Sequence, residues 1–320
     1  MYKNHEIFLP LSYLNTTDFI AYDPKFFELI GPNATVEHVQ NLAYQSHKAP
    51  CYIKETNELF FVDWGPPGGD DGVHSWQYVL DIETNELRKV ETTPPTYNAH
   101  GCVYYNQSLY VVTDGYADKE SGALVKVNPR SWERETLVNN YLVQPFAGFN
   151  DLEMDREGNF WVTDSKSGWG RGITTFTPPT LPSIYFIEHT TLRSKVVQTT
   201  TGNANGYFPR RKDPYGEREL WAFDVSESRS VLSKKRLLNN PISYFYDGVR
   251  VSRGGWIFAG AGDGVDVIDP ENGFTVGSVR MGGGENLAVS LAFGENEIWI
   301  VGRGGVWRVK GVRERLAREW

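Results

Sequence analysis

Residues 46–63 read SHKAPCYIKETNELFFVD. A run ending in apolar residues is followed by a polar turn through Glu55, Thr56 and Asn57, and then by a second run of large apolar residues closed by Asp63. This is the signature of a β-hairpin buried on both faces. The pattern recurs as CVYYNQSLYVVTDG from Cys102, LEMDREGNFWVTDS from Leu152, VRVSRGGWIFAGAG from Val249 and LAFGENEIWIVGRG from Leu291. Self-similarity at a spacing of some 40–50 residues marks a repeat architecture.

A second hairpin follows most copies: WQYVLDIETNELRKV from Trp76, ALVKVNPRSWERETLV from Ala123, SIYFIEHTTLRSKVV from Ser183 and GVDVIDPENGFTVGSV from Gly264. Two hairpins make a four-stranded antiparallel sheet, the unit of a propeller blade. Between the third and fourth copies, ELWAFDVSESRSVLSKKRL reads as the outer hairpin of a further blade, preceded by the irregular insert YFPRRKDPYGER. The expectation is an all-β, six-bladed β-propeller with four-stranded antiparallel blades and almost no helix. It forms one domain over residues 1–320, with residues 1–40 supplying strands that close the ring. A β-sandwich does not repeat a two-hairpin unit so regularly.

Composition agrees, since 32 Gly, 10 Trp, 17 Tyr and 17 Phe suit many short strands and turns. A formal net charge of -8 offers no basic footprint for nucleic acid or an anionic membrane. No apolar run is long enough to span a bilayer. The start, MYKNHEIFLPLSYL, lacks the apolar core and cleavage site of a signal peptide, so a cytoplasmic location is expected. Cys51 and Cys102 fall inside strands and are read as buried, reduced thiols rather than a disulfide. No His or Cys spacing suggests zinc.

Five segments carry a resemblance to a known family: APCYIKETNELFFVDW, FNDLEMDREGNFWVTD, the Asn205–Gly206 pair, AFDV with LSKKRLL, and YDGVRVSRGGWIF. From about Gln45 onward the chain resembles the senescence marker protein, regucalcin and gluconolactonase family of six-bladed propellers. That resemblance implies a central tunnel holding one divalent cation, usually calcium. Asn150 matches the asparagine that orients substrate or stands behind the metal, Asn205 the asparagine whose carbonyl binds it, and Asp247 the aspartate that is both ligand and general base. The glutamate of the family's E-[GSA]-P segment is replaced here by Lys48.

Calcium takes six to eight oxygen ligands and draws affinity from negative charge around it. Exchanging a carboxylate for an ammonium changes the site by two charges and sets cation against cation, a repulsion of about 4 kcal/mol at about 4 Å and an effective dielectric of 20. Weak or absent metal binding is expected, with the Lys48 ammonium in the former metal space paired to Asp247. Two alternatives remain at this level: a register in which His47 fills the ligand place, or a Lys48 that points to solvent.

Other motifs are less specific. His100, in NAHG, and His74, in DDGVHSW, fall on turns near inner strands, and His100 is a candidate acid or base. GPPGGDDG and MGGGEN lead into no helix and read as blade-linking turns rather than phosphate cradles. Among the aromatics near the tunnel motifs, Trp64, Phe149, Tyr207 and Tyr246 are candidates to line a substrate pocket beside Asn205. Gly168 to Pro182, GWGRGITTFTPPTLP, is a candidate lid, and Arg171 in it a candidate catalytic partner for a carbonyl or anion.

Three function classes follow. The chain is similar to a fungal branch of the family in which some members are hetero-Diels–Alderases joining a tropolone quinone methide to a sesquiterpene such as humulene. That similarity implies a metal-independent biosynthetic enzyme with no cofactor, hydrophobic small-molecule partners and a polarised carbonyl. The catalytic set would be Lys48, Asn150, Asp247, Arg171 and His100. The second class is a calcium-dependent lactone hydrolase using Asn150, Asn205 and Asp247 as ligands, and the third a non-catalytic binding propeller.

Overall fold

The computed structural model describes residues 16–44, 46–63, 75–117, 119–165, 167–170, 172–176, 180–199, 218–241, 245–282 and 286–317. Five antiparallel sheets of four or more strands are present among them, each identified below by the first residue of its innermost strand. The Ser46 blade runs Ser46–Ile53, Glu58–Asp63, Trp76–Asp81 and Leu87–Val90. The Ala99 blade runs Ala99–Tyr105, Ser108–Thr113, Leu124–Val127 and Arg134–Val138. The Phe149 blade runs Phe149–Met154, Phe160–Asp164, Ser183–Ile187 and Ser194–Thr199.

The Val249 blade holds Val249–Val251, Ile257–Gly260, Gly264–Ile268 and Thr275–Arg280, with Phe19–Ala21 added at its outer edge. The Leu287 blade holds three strands, Leu287–Phe293, Ile298–Arg303 and Gly305–Lys310, and is completed by Thr35–Gln40 from near the start of the chain. Thr35 pairs Lys310 and Phe19 pairs Val279, so the N-terminal region is stitched into the last two blades. Between the Phe149 and Val249 blades lies a two-stranded sheet, Leu220–Val225 with Leu232–Asn239. The inner half expected of this unit falls outside the described residues.

The inner strands of the Ser46, Ala99 and Phe149 blades are successive neighbours, and the Leu287 inner strand lies between those of the Val249 and Ser46 blades. The blades therefore circle a central axis. This arrangement explains the sequence pattern, because a second strand is covered on both faces by adjoining blades. Ser108–Thr113 is buried along its whole length, and Glu58–Asp63 and Ile298–Arg303 at all but one residue. Such strands lose the polar alternation of a half-exposed sheet, and each fully buried Phe or Ile contributes roughly 1.5–3 kcal/mol.

Helix is confined to two short pieces among the described residues, Lys25–Ile30 and Ser167–Gly170. The first buries Phe26, Leu29 and Ile30 against the Val249 and Leu287 blades.

Candidate active site at the upper end of the tunnel

The inner strands deliver side chains to the axis through β-bulges at one level. In the Ala99 blade, Ala99 pairs Thr113 and Gly101 pairs Val112, so the register shifts at His100. In the Phe149 blade, Phe149 pairs Asp164 and Asp151 pairs Thr163, so it shifts at Asn150. The Leu287 blade shifts at Val289 in the same way. In the Val249 blade the equivalent place is held by Asp247, whose N–H reaches the Gly260 carbonyl at 3.1 Å. A bulge bends the strand and re-aims one side chain.

Two glycines let neighbouring inner strands close up at this level. A Cβ on Gly101 would lie 2.7 Å from the Asp151 Cα, and one on Gly248 would lie 2.3 Å from the Ser290 Oγ.

In the Ser46 blade the register shifts on both sides of Lys48, and Ala49 takes a left-handed φ of 53°. The lysine is thereby turned inward. Its Nζ donates to Asp247 Oδ1 at 2.8 Å, and the two side chains are only 8% and 9% exposed. The Leu287 blade stands between the two strands that carry them, so the pair crosses the tunnel rather than a blade interface.

This geometry bears on the calcium site that the family resemblance implies. The ammonium sits within bonding distance of the carboxylate that a cation would need, and it can accept nothing. The described residues contain no cluster of three or more His, Cys, Asp or Glu side chains placed to hold a metal. Among the described residues, Asp247 is already engaged by the Lys48 ammonium.

Asn150 is buried at the bulge level, and His100 is fully enclosed with its Nε2 3.1 Å from the Asp114 Oδ2. Asp114 is wholly buried beside the imidazole. Behind it, Asp164 accepts from the Gly148 N–H at 2.9 Å. Burial pushes the Asp164 carboxyl up to about 8 against the lowering effect of the Ala147 and Gly148 amides, and the Asp114 charge adds to the rise. Asp63 and Asp164 end the second strands of their blades and Asp114 follows directly on its own. The recurrent Asp after the second apolar run was their trace in the sequence.

Two expectations are corrected. Phe149 is fully buried, with its ring 4.3 Å from Phe146 and 6.3 Å from Tyr185. It fills the blade core with Phe146 and Tyr185. Tyr246 precedes Asp247 and is likewise wall, with its hydroxyl 2.9 Å from Asn239 Oδ1 and 3.0 Å from Asp266 Oδ2. Burial pushes its pKa up, and the Asp266 carboxylate adds to the shift. Trp64, His74, Arg171, Asn205 and Tyr207 lie outside the described residues. Of the expected lid, the first part folds back on the Gly168 carbonyl and buries Ile173 and Thr174.

Sequence reasoning did not single out the lower half of the tunnel. Arg250 of the Val249 blade reaches Asp151 of the Phe149 blade, Nη1 to Oδ2 at 3.1 Å. Burial opposes the Arg250 charge, but the Asp151 and Glu153 carboxylates outweigh it and hold the guanidinium protonated. Below this pair opens a cavity of about 700 Å3, lined by Cys51, Cys102, Glu153, Arg250 and Phe293 among others. It includes none of Lys48, Asn150 or Asp247.

A ring of antiparallel blades, with the buried Lys48–Asp247 ion pair joining segments of two non-adjacent blades, defines the chain as a β-propeller. The SMP-30/Gluconolactonase/LRE-like region matches residues 48–300, and the chain belongs to that family. It is 26% identical over 342 residues to the lactonohydrolase oryL of Aspergillus oryzae (strain ATCC 42149 / RIB 40), covering 93% of this chain and 75% of that one. It is 24% identical over 384 residues to the lactonohydrolase oryH of the same organism, covering 91% and 80%. A gluconolactonase structure from Xanthomonas campestris shares the fold, with a TM-score of 0.74, 18% identity, and coverage of 92% of this chain and 95% of that one.

Proposed function

We propose that this chain is a metal-independent, carbonyl-activating enzyme in which the Lys48 ammonium, anchored by Asp247, does part of the work that a divalent cation does in the wider family. One observation carries this reading: the buried 2.8 Å contact between Lys48 Nζ and Asp247 Oδ1. An ammonium has three N–H donors. With one on Asp247, two remain to polarise a substrate carbonyl by charge-assisted hydrogen bonds. It has no open coordination site with which to activate water, so hydrolysis loses more than carbonyl polarisation does.

A reaction that needs only a polarised carbonyl and two apolar fragments held together fits such a site. In a hetero-Diels–Alder addition of a tropolone quinone methide to a sesquiterpene alkene, one C–C and one C–O bond form and nothing leaves. Lowering the energy of the carbonyl-bearing diene and fixing the partners are then the whole catalytic task. Asn150 and the His100–Asp114 pair are the remaining polar groups assigned to the site, and Asn205 and Arg171 join them as expected from the sequence. The ring is read as six-bladed, with the Leu220–Asn239 hairpin as the outer half of the remaining blade. Two free, buried thiols suit a reducing, cytoplasmic setting.

Lactone hydrolysis is the second reading, favoured by the names of the Aspergillus oryzae relatives. Parallel assays separate the two. The expected result is cyclised product above the buffer rate from a quinone methide and humulene, indifferent to chelator, with aldonolactone hydrolysis near background. Aldonolactone hydrolysis that is lost in chelator and restored by calcium would establish the second reading instead.

A further inference from the structure

The chain has two cysteines in 320 residues, and the fold brings them together. Cys51 lies on the inner strand of the Ser46 blade and Cys102 on that of the adjoining Ala99 blade, and both side chains belong to one buried hydrophobic cluster. A buried residue contacts about 6–12 others, so two positions placed at random in a chain of this length meet in roughly 2–4% of cases. Both thiols also line the cavity of about 700 Å3 at the lower end of the tunnel, beside the Arg250 guanidinium. They are therefore within reach of a small solute despite their burial.

We propose that Cys51 and Cys102 form an oxidisable dithiol site for small peroxides, whose product is a disulfide joining the inner strand that carries Lys48 to the inner strand that carries His100. One thiolate attacks a peroxide oxygen, the O–O bond breaks, and a sulfenic acid and water form. The second thiol then attacks the sulfenic sulfur and expels a second water. Each sulfur gives up one electron, and each of the two peroxide oxygens gains one and leaves as water. The net change is two thiols and one hydrogen peroxide going to one disulfide and two waters.

The surroundings set the selectivity. Burial pushes the Cys102 thiol well up, while the Arg250 cation pulls the other way. The site therefore reacts slowly and favours a reagent small enough to enter the cavity over a bulky one such as oxidised glutathione. The bond would close a loop of about 50 residues, which restrains the unfolded chain substantially. It would also clamp the strand three residues beyond Lys48. None of this depends on which reaction the upper site performs.

The test is intact-mass analysis and peptide mapping of the full-length protein after exposure to millimolar hydrogen peroxide and, separately, oxidised glutathione. The expected result with peroxide is a species lighter by two hydrogens. Its non-reducing digest should join the Cys51 and Cys102 peptides within one molecule, and dithiothreitol should reverse it. The thermal midpoint should rise by about 5 °C. Cys51→Ser and Cys102→Ser should each abolish the product. Two alkylatable thiols persisting after exhaustive treatment, or stepwise addition of oxygen to each sulfur with no cross-linked peptide, would overturn the proposal, and the wild-type map gives that answer even if neither variant folds.

Discussion

Among the described residues, two ion pairs join non-adjacent blades, and both take one partner from the same short segment of the Val249 blade. At the upper level Asp247 accepts from Lys48, and three residues on Arg250 donates to Asp151. The upper cation is a compact ammonium with donors to spare. The lower cation is a guanidinium, held protonated by the Asp151 and Glu153 carboxylates. On the proposed reading, the lower pair ties together the two blades that flank the Leu220–Asn239 hairpin and the upper pair serves chemistry. A permanently charged, doubly compensated group is a strut, and a single ammonium facing a tunnel is a tool.

Removing the partner in each pair tests that division. Asp151→Ala leaves a buried guanidinium that has no neutral form, and the expected loss is about 3–5 kcal/mol of stability in denaturant unfolding. Lys48→Met removes the cation of the upper pair. Its expected cost is about 1–2 kcal/mol, while the rate of the proposed cycloaddition falls about 100-fold or more. Equal stability losses in the two variants would erase the distinction.

The third comparison is between carboxylates. Asp164 has a folded pKa of about 8 against an ordinary value of 3.8, so the folded state holds that proton more tightly than the unfolded chain does. The resulting stabilisation is complete below about pH 4 and is lost progressively as pH rises to about 8. Asp164→Asn cannot lose a proton there, and its unfolding midpoint should vary less over that window than that of the wild type. An unchanged pH profile would remove Asp164 as its source. The smallest effect is expected for Tyr246→Phe, which removes one buried hydroxyl bond at about 1 kcal/mol and leaves catalysis untouched. A large activity loss there would return Tyr246 to the substrate pocket.

The hairpins were legible because a strand covered on both faces must be apolar along its whole length, as in ELFFVD and SLYVVT. The Lys48–Asp247 contact was legible only through the resemblance, since 199 residues separate the partners. The bulges that aim His100, Asn150 and Asp247 were not, because a one-residue register shift leaves no compositional mark. That same shift explains why Phe149 and Tyr246, each beside a bulge residue, were assigned to the pocket and proved to be wall. The short Lys25–Ile30 helix was hidden for lack of a side-chain cap hydrogen bond and of length. Arg250 and Asp151 sit in unremarkable strand sequence, and their pairing emerges only when the ring is closed.

The central claim is that an ammonium occupies the space a cation would need. Calcium titration by calorimetry, into the wild type and into Lys48→Glu, tests it most directly. The account predicts no saturable calcium binding by the wild type at millimolar calcium and one bound ion in Lys48→Glu, where a carboxylate again faces Asp247. Stoichiometric, saturable calcium binding by the wild type would contradict it.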